Sequence, residues 1–480
     1  MKFQVFLLVL CLSGSASAAS QRSDKALKDM KLPDVEIISI QHIDGEASHY
    51  DVDGIIGGTI NFELLLPDDW NDRFAMGGGG GFVGSVQNSA RGSVREGYAT
   101  VGTDTGHQVA DGSFALNDAL AQVNFGHVAV HRTAEVAKAI IREHYGSDPK
   151  YSYFLGCSRG GGQAMMESQR YPEDFDGIVA GAPAFDWAGF AATGLNIVQG
   201  FYPDPEVLDK TILTRKEIQR LFEEIIEQCD DQDGLKDGIL SDPAKVEFDL
   251  NAVKWLSTDQ RAAISTIYNG PDNQNGKIHP GFPIGSEMEW ATWLVGPNPN
   301  QSDNPSLGFF FCVGLFRNFI FNDPDWDYSD YDFSTWAQDW ELAASTLSAV
   351  DTNLDEFKAL GGKLILWHGW SDAALPATRT AQYFDALLER DPGIHDYARL
   401  YLIPGCGHCG GGPGISEVDW LSTIADWVEN DNAPEAVIAS KGARRGREGT
   451  TRPLSPYPMR TIYKGDGDPK NADSFLSVQP

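Results

Sequence analysis

Basic residues are in short supply in this chain: 37 Lys and Arg stand against 68 Asp and Glu, a formal net charge of −31 at pH 7. Nucleic acids and anionic membranes are held by basic patches, so the balance argues against both as partners. Long apolar runs are missing too. The run at residues 5–12 is too short to cross a bilayer, and no later stretch reads as transmembrane. There is no internal repeat, and cysteine is sparse, with six residues. What is present is an ordinary globular composition, 42% hydrophobic and 22% charged, and 480 residues give room for one large domain or a domain with a sizeable insertion.

The start of the chain differs in character. Met1-Lys2, the apolar run and then Ser15-Ala16-Ser17-Ala18 follow the order of a secretory signal peptide over residues 1–18, cut after Ala18. Leu10 precedes Cys11, where a lipoprotein site needs a small residue, so no lipid anchor is expected. The mature chain is expected to be secreted or periplasmic, where disulfides persist. It keeps Cys157, Cys229, Cys312, Cys406 and Cys409. Five is odd, so at least one thiol stays free or pairs outside the chain, and counting does not give the connectivity.

Hydrophobic patterning predicts strands at 35–40 and 55–67, a hairpin region, then at 73–76, 98–101, 150–155 and 178–182, with helices over 124–145 and 161–171. From about 187 to 352 the alternation is lost, leaving a helix over 215–228, an acidic loop and many aromatics. It resumes with a strand at 363–368, a helix over 377–388, a strand at 398–403 and a helix over 417–429. The tail from 451, rich in Pro, Gly and Asp, is expected to wrap over the surface. Alternation on both sides of an irregular insertion implies an α/β fold, a mostly parallel sheet carrying a cap. The sheet domain would comprise 19–186 and 353–480, and the lid 187–352.

Gly156-Cys157-Ser158-Arg159-Gly160 fits G-x-S-x-G between a predicted strand and a predicted helix. This is the setting of a nucleophile elbow, whose strained turn needs glycines to project the serine; a tight Gly-rich turn is the plainer reading. Elbow enzymes order their triad Ser, acid, His. Asp372 follows the strand at 363–368 and His408 the strand at 398–403, both beyond a strand's carboxyl end, where α/β sheets place their sites. His408 would take the proton of Ser158, and Asp372 would orient the imidazole. His368 is the rival histidine, and Asp372 has a second reading as a cap for the next helix. The oxyanion needs two N–H donors. The expected pair is the amide of Arg159 and one from the run Gly77 to Gly81, assigned to Gly79. Cys157 stands one residue before the apex, which argues against a cysteine nucleophile. A disulfide between Cys157 and Cys409 would hold Ser158 and His408 beside a covalent staple, since bridged Cα atoms lie roughly 4.4–6.8 Å apart.

The loop from Cys229 to Ile239 carries carboxylates at tight spacing, broken by glycines. It reads either as a solvated acidic turn or as a Ca²⁺ loop, with Asp230, Asp233 and Asp237 giving side chains and Leu235 and Ile239 carbonyls. No glutamate closes it as in an EF-hand. Trp290, Trp293, Trp326, Trp336 and Trp340 with Phe309, Phe310 and Phe311 form an aromatic-rich lid, either its own core or the wall of a pocket for an aromatic ring.

Together these strings resemble the tannase and feruloyl esterase family of α/β hydrolases. The resemblance rests on Gly156 to Gly161, Ser371-Asp372-Ala373, Gly407-His408-Cys409-Gly410-Gly411-Gly412-Pro413-Gly414, Asp176-Gly177-Ile178-Val179-Ala180-Gly181-Ala182-Pro183 and Arg452-Pro453-Leu454-Ser455-Pro456-Tyr457-Pro458. It implies an α/β-hydrolase fold, a disulfide joining Cys157 to Cys409, and a calcium ion in the lid loop. It implies a serine carboxylic ester hydrolase acting on small aromatic acyl esters, feruloyl or galloyl, with no obligate protein partner. The alternatives are hydrolysis of mono(2-hydroxyethyl) terephthalate, or an idle hydrolase-like binding protein. The chain departs from the family pattern at Ala244-Lys245-Val246-Glu247, which lacks the cysteine that often closes the calcium loop, and at Ser455, where some relatives carry cysteine. Asn304-Pro305-Ser306-Leu307-Gly308-Phe309 lacks the arginine by which the terephthalate enzyme clamps its substrate carboxylate.

Overall fold

A computed structural model describes Leu27 and residues 30–296, 305–442 and 449–479. The expected signal peptide at 1–18 and Asn304 lie outside the described residues. Eleven strands and eight helices concern the sheet, the lid and their joints: β1 (Val35–Ile43), β2 (His49–Ile56), β3 (Ile60–Pro67), β4 (Arg73–Gly77), β5 (Ala99–Thr103), α1 (Ala119–Val123), α2 (Ala129–Tyr145), β6 (Tyr151–Cys157), α3 (Arg159–Arg170), β7 (Gly177–Gly181), α4 (Trp187–Phe201), α5 (Arg215–Cys229), α6 (Thr258–Asn269), the two-residue strands β8 (Asp272–Asn273) and β9 (Gly276–Lys277), α7 (Glu287–Trp293), α8 (Trp336–Leu347), β10 (Lys363–Gly369) and β11 (Ala398–Ile403).

Nine strands form one sheet in the order β1-β2-β3-β5-β4-β6-β7-β10-β11. The first three and β5 pair antiparallel, and from β5 to β11 every pairing is parallel. Side chains alternate across a strand. Ile178, Ala180, Leu364, Leu366 and Leu400 therefore join α2 on one face. Val179, Ile365, Trp367 and Tyr401 meet Ile424 and Trp427 on the other. Burial on both faces is what makes these strands continuous apolar runs. Between β7 and β10 the described residues add no strand to this sheet. They form the helical lid, packed in two apolar clusters: one around Trp187, Phe316 and Trp340 that also takes in Phe82 and Phe125 from outside the lid, the other around Leu221, Ile264 and Trp290.

Four local expectations are corrected. The stretch at 35–67 is a three-stranded meander rather than one hairpin. The helix predicted over 124–145 is longer and interrupted, since α1 runs into a π-helical turn at Asn124–Val128 before α2. The buried guanidinium of Arg159 donates to the carbonyls of Phe125 and, at 3.0 Å, Gly126 in this turn, a tertiary contact that local periodicity does not carry. The tail is more regular than a surface wrap. Strands Val437–Lys441 and Thr450–Leu454 pair antiparallel, as do Arg460–Tyr463 and Phe475–Val478. The helix predicted from 417 begins at Trp420, because Glu417 is drawn into a bridge with Ser440 and Asp419 caps the first turn through Ser422 N at 3.0 Å.

Candidate active site

Ser158 sits where β6 turns into α3, with φ 62° and ψ −122°. That backbone state is strained for a residue with a side chain, and it projects the hydroxyl off the carboxyl end of the sheet. The turn closes only because its flanks are bare: a Cβ on Gly156 would lie 2.2 Å from Gly160 O. His408 Nε2 lies 2.8 Å from Ser158 Oγ, and His408 Nδ1 lies 2.8 Å from Asp372 Oδ2. Nδ1 faces a carboxylate and so carries the hydrogen, which leaves Nε2 free to accept the serine proton. Asp372 is fully buried. Its Oδ1 accepts from the amides of Ala374 (2.7 Å) and Leu375 (2.9 Å) in the turn before the helix Ala377–Arg390. The helix-capping reading is corrected, since that helix starts after Pro376 with no side-chain cap.

Burial pushes the Asp372 carboxyl upward, but the charges and hydrogen bonds of His408 and His368 outweigh it and hold the group well below the usual carboxylate range. Burial opposes the His408 cation, yet Asp372, with a smaller contribution from Glu289, raises the imidazole above its ordinary value. The rival His368 does not reach the serine. It is buried behind the acid, with Nε2 3.1 Å from Asp372 Oδ2 and 3.0 Å from Leu375 O, and Nδ1 2.8 Å from Thr380 Oγ1.

Cys157 and Cys409 are bridged, with Cα atoms 5.9 Å apart across 252 residues of sequence. Cys229, Cys312 and Cys406 are free and buried. In the closing segment that lacks a cysteine, Cys229 Sγ instead lies 3.6 Å from Glu247 O.

The two oxyanion assignments fare differently. Arg159 opens α3, so its amide has no intrahelical acceptor and stands beside Ser158. The Gly79 assignment is corrected: its N–H donates to Gln163 Oε1 at 3.1 Å, and that of Gly80 is taken by Gln87 Oε1 at 2.7 Å. The glycine loop lies over the elbow, since a Cβ on Gly78 would approach Gly160 Cα to 2.6 Å. The Arg159 side chain has a second duty that its motif does not announce. Its guanidinium, pushed down to about 9 by burial, stacks over Phe125 (4.4 Å) and Trp187 (5.3 Å).

The aromatic lid divides. Trp290 and Trp340 are core. Trp293 sets its ring edge-on to His408, with centroids 4.7 Å apart, and Phe311 reaches the glycine loop, within 3.4 Å of where a Gly81 Cβ would stand. Sequence reasoning also missed Glu289, whose Oε2 accepts from the amides of His408 (3.0 Å) and Ala373 (3.4 Å). It lies in no motif, and only the fold brings it to the triad.

In the acidic loop, Gly234 and Gly238 take φ 89° and 79°, the left-handed state that lets the chain double back. Asp230 Oδ1 accepts from Gly238 N. Asp233 accepts from Leu235 N and Ser241 N, and Asp237 from Ile239 N. Asp237 Oδ2 also meets Arg452 at 2.8 Å, and Asp242 meets Arg460 at 3.1 Å. The donor chemistry, hard oxygens on a sharply turned loop, fits Ca²⁺. The carboxylates are turned onto the loop's own amides and are less convergent than Asp51, Asp53 and Glu63 or His131, Glu167 and Asp174. Those are the two described trios whose ligand atoms lie within 4.8 Å of one another.

Residues 49–478 match the family model described as tannase and feruloyl esterase. The chain is 31% identical to a mono(2-hydroxyethyl) terephthalate hydrolase of Piscinibacter sakaiensis, over 88% of this chain and 82% of that one. It is 30% identical to a probable feruloyl esterase of Arthroderma benhamiae, over 91% and 85%. Among solved structures, feruloyl esterase B from Aspergillus oryzae superposes with a TM-score of 0.81 at 24% identity, covering 95% of this chain and all of that one. Tannin acyl hydrolase from Aspergillus niger gives 0.76 at 22%, covering 95% of each chain. These two structural likenesses speak for the fold, an α/β hydrolase with its mixed central sheet, while the sequence matches speak for descent. The chain belongs to the tannase and feruloyl esterase family.

Proposed function

We propose that the protein is a secreted or periplasmic serine carboxylic ester hydrolase that cleaves aromatic acyl esters, feruloyl or galloyl in type. The observation that carries this reading is the unbroken line from Ser158 through His408 to Asp372, with both links at 2.8 Å. Ser158 Oγ attacks the acyl carbonyl while His408 Nε2 takes its proton, and the Arg159 amide donates to the oxyanion. Collapse expels the alcohol, which receives the proton from His408, and leaves the acid esterified to Ser158. A water, deprotonated by His408, then releases the aromatic acid. Trp293 and Phe311 support an aromatic acyl group, being rings that meet the histidine and the glycine loop. Among the described residues no helix is long and apolar enough to cross a membrane, and residues 1–18 support export.

A second reading, cleavage of terephthalate monoesters, is favoured by the relative of that name. Comparison of kcat/KM on methyl ferulate, methyl gallate and mono(2-hydroxyethyl) terephthalate is expected to favour the first two by at least about tenfold, a difference of about 1.4 kcal/mol. A preference for the terephthalate ester would move the assignment to the second reading, and hydrolysis of none would overturn both.

The reading includes a structural calcium ion in the lid, held by the side chains of Asp230, Asp233 and Asp237 and the carbonyls of Leu235 and Ile239. Its role there is to neutralise the clustered carboxylates, and no chemical step passes through it. A ligand that binds only the folded state raises its stability. EDTA is therefore expected to lower the melting temperature and added Ca²⁺ to restore it; identical melting in EDTA and in Ca²⁺ would remove the ion from the proposal.

A further inference from the structure

Glu289 belongs to the lid, yet it is joined to both catalytic turns. One oxygen, Oε2, accepts from the amide of His408 itself at 3.0 Å and from that of Ala373, next to Asp372, at 3.4 Å. The other, Oε1, occupies space that only a glycine leaves open, since a Cβ on Gly407 would stand 2.2 Å from it. One turn further along α7, Trp293 lays its ring edge-on to the His408 imidazole. The same helical face thus touches the catalytic histidine through a carboxylate and through a ring.

We propose that Glu289 is a positioning residue of the triad: a lid carboxylate that docks the His408 turn onto the Asp372 turn and presents a second negative charge to the imidazole. The inference rests on the hydrolase reading of Ser158, His408 and Asp372. Two consequences separate it from mere packing. The first is geometric, because the His408 backbone is held by an acceptor from another layer and loses its orientation without it. The second is electrostatic. The groups around His408 are Asp372 on Nδ1, Ser158 on Nε2, Glu289 on its amide, the uncharged Trp293 ring, and the Cys406 thiol, which burial pushes up to about 12 and so keeps neutral. His368 stands behind Asp372. Asp372 and Glu289 are the two anions of this set, and both favour the imidazolium. Burial and the Asp372 charge raise the Glu289 carboxyl, opposed by its two amide donors and by His408. Of the two anions, Glu289 acts on the imidazole less than Asp372 does.

The sign follows. His408 must be neutral to accept the serine proton, so any group that favours its cation moves the acid limb of activity to higher pH. Glu289→Gln keeps an oxygen acceptor and removes the charge. It is expected to shift the acid limb of Ser158 labelling by a fluorophosphonate, and of kcat/KM, to lower pH by about half a unit. Glu289→Ala removes the acceptor as well. It is expected to lower kcat and the labelling rate by on the order of tenfold to a hundredfold with KM unchanged, because misplacing a reacting group is that costly. Wild-type acid limbs and wild-type kcat in both variants would overturn the proposal. Should Glu289→Ala fail to fold, the near-isosteric Gln variant decides through its pH profile. Labelling reports on the serine–histidine pair without regard to the acyl group. A wild type that labels but cleaves no aromatic ester would sink the substrate assignment, while the labelling profile still decides the role of Glu289.

Discussion

Ser158→Ala is expected to leave a folded protein whose kcat/KM on aromatic esters has fallen by about a millionfold, since loss of a triad nucleophile typically costs that much. The expectation that it folds is as specific as the loss. Ser158 stands at φ 62°, and alanine keeps the Cβ that makes this state strained, so the elbow is neither relieved nor further burdened. The lost hydroxyl has His408 Nε2 as its partner, so the substitution removes a single side-chain contact. Melting should therefore match the wild type while fluorophosphonate labelling disappears. A variant that keeps more than about a hundredth of the wild-type rate would show that another nucleophile acts, because the residual rate from oxyanion stabilisation and binding is far smaller.

The second large effect is expected from Cys157→Ala/Cys409→Ala. The disulfide closes a loop of 252 residues. In the chain-entropy model, removing such a cross-link costs about 5 kcal/mol, an upper figure because denatured chains retain structure. Each cysteine adjoins a catalytic residue, so activity should fall more than the folded fraction does. About a hundredfold loss in kcat is expected from a displacement near 1 Å between Ser158 Oγ and His408 Nε2. Asp372 and Glu289 also hold His408, which sets the effect below that of removing the serine. The measurement is kcat under conditions where circular dichroism shows the double variant folded. Full activity there would mean that the bond serves stability alone.

The triad was legible in the sequence because each member follows a strand of plain hydrophobic pattern, and Ser158 and His408 also sit among glycines. Ser158, Asp372 and His408 are each displaced from their strand ends by only a few residues, so local pattern and chain order suffice. Gly79 failed for the opposite reason. Which amide of five glycines stays free depends on Gln163 and Gln87, and nothing in the run records where those side chains go. Glu289 lay beyond reach because its meaning comes from partners more than eighty residues away, in a segment without periodic signal. The π-helical turn escaped notice likewise, being tied to a guanidinium from the elbow. In the acidic loop the residue types were legible, whereas the pairing of Asp237 with Arg452 was not, since it joins the lid to the tail.

That pairing bears on how a substrate gains entry. The lid is tied by Glu289 to the His408 and Ala373 amides, and by Asp237 and Asp242 to Arg452 and Arg460 of the carboxyl-terminal strands. Both ties fall beside the turn after β11, since Ile239 packs where a Gly405 Cβ would stand and Glu289 where a Gly407 Cβ would. Lifting the lid on that side would break an ion-pair clasp and the support of the catalytic histidine together, so an ester that forces it open there would disarm the base it needs.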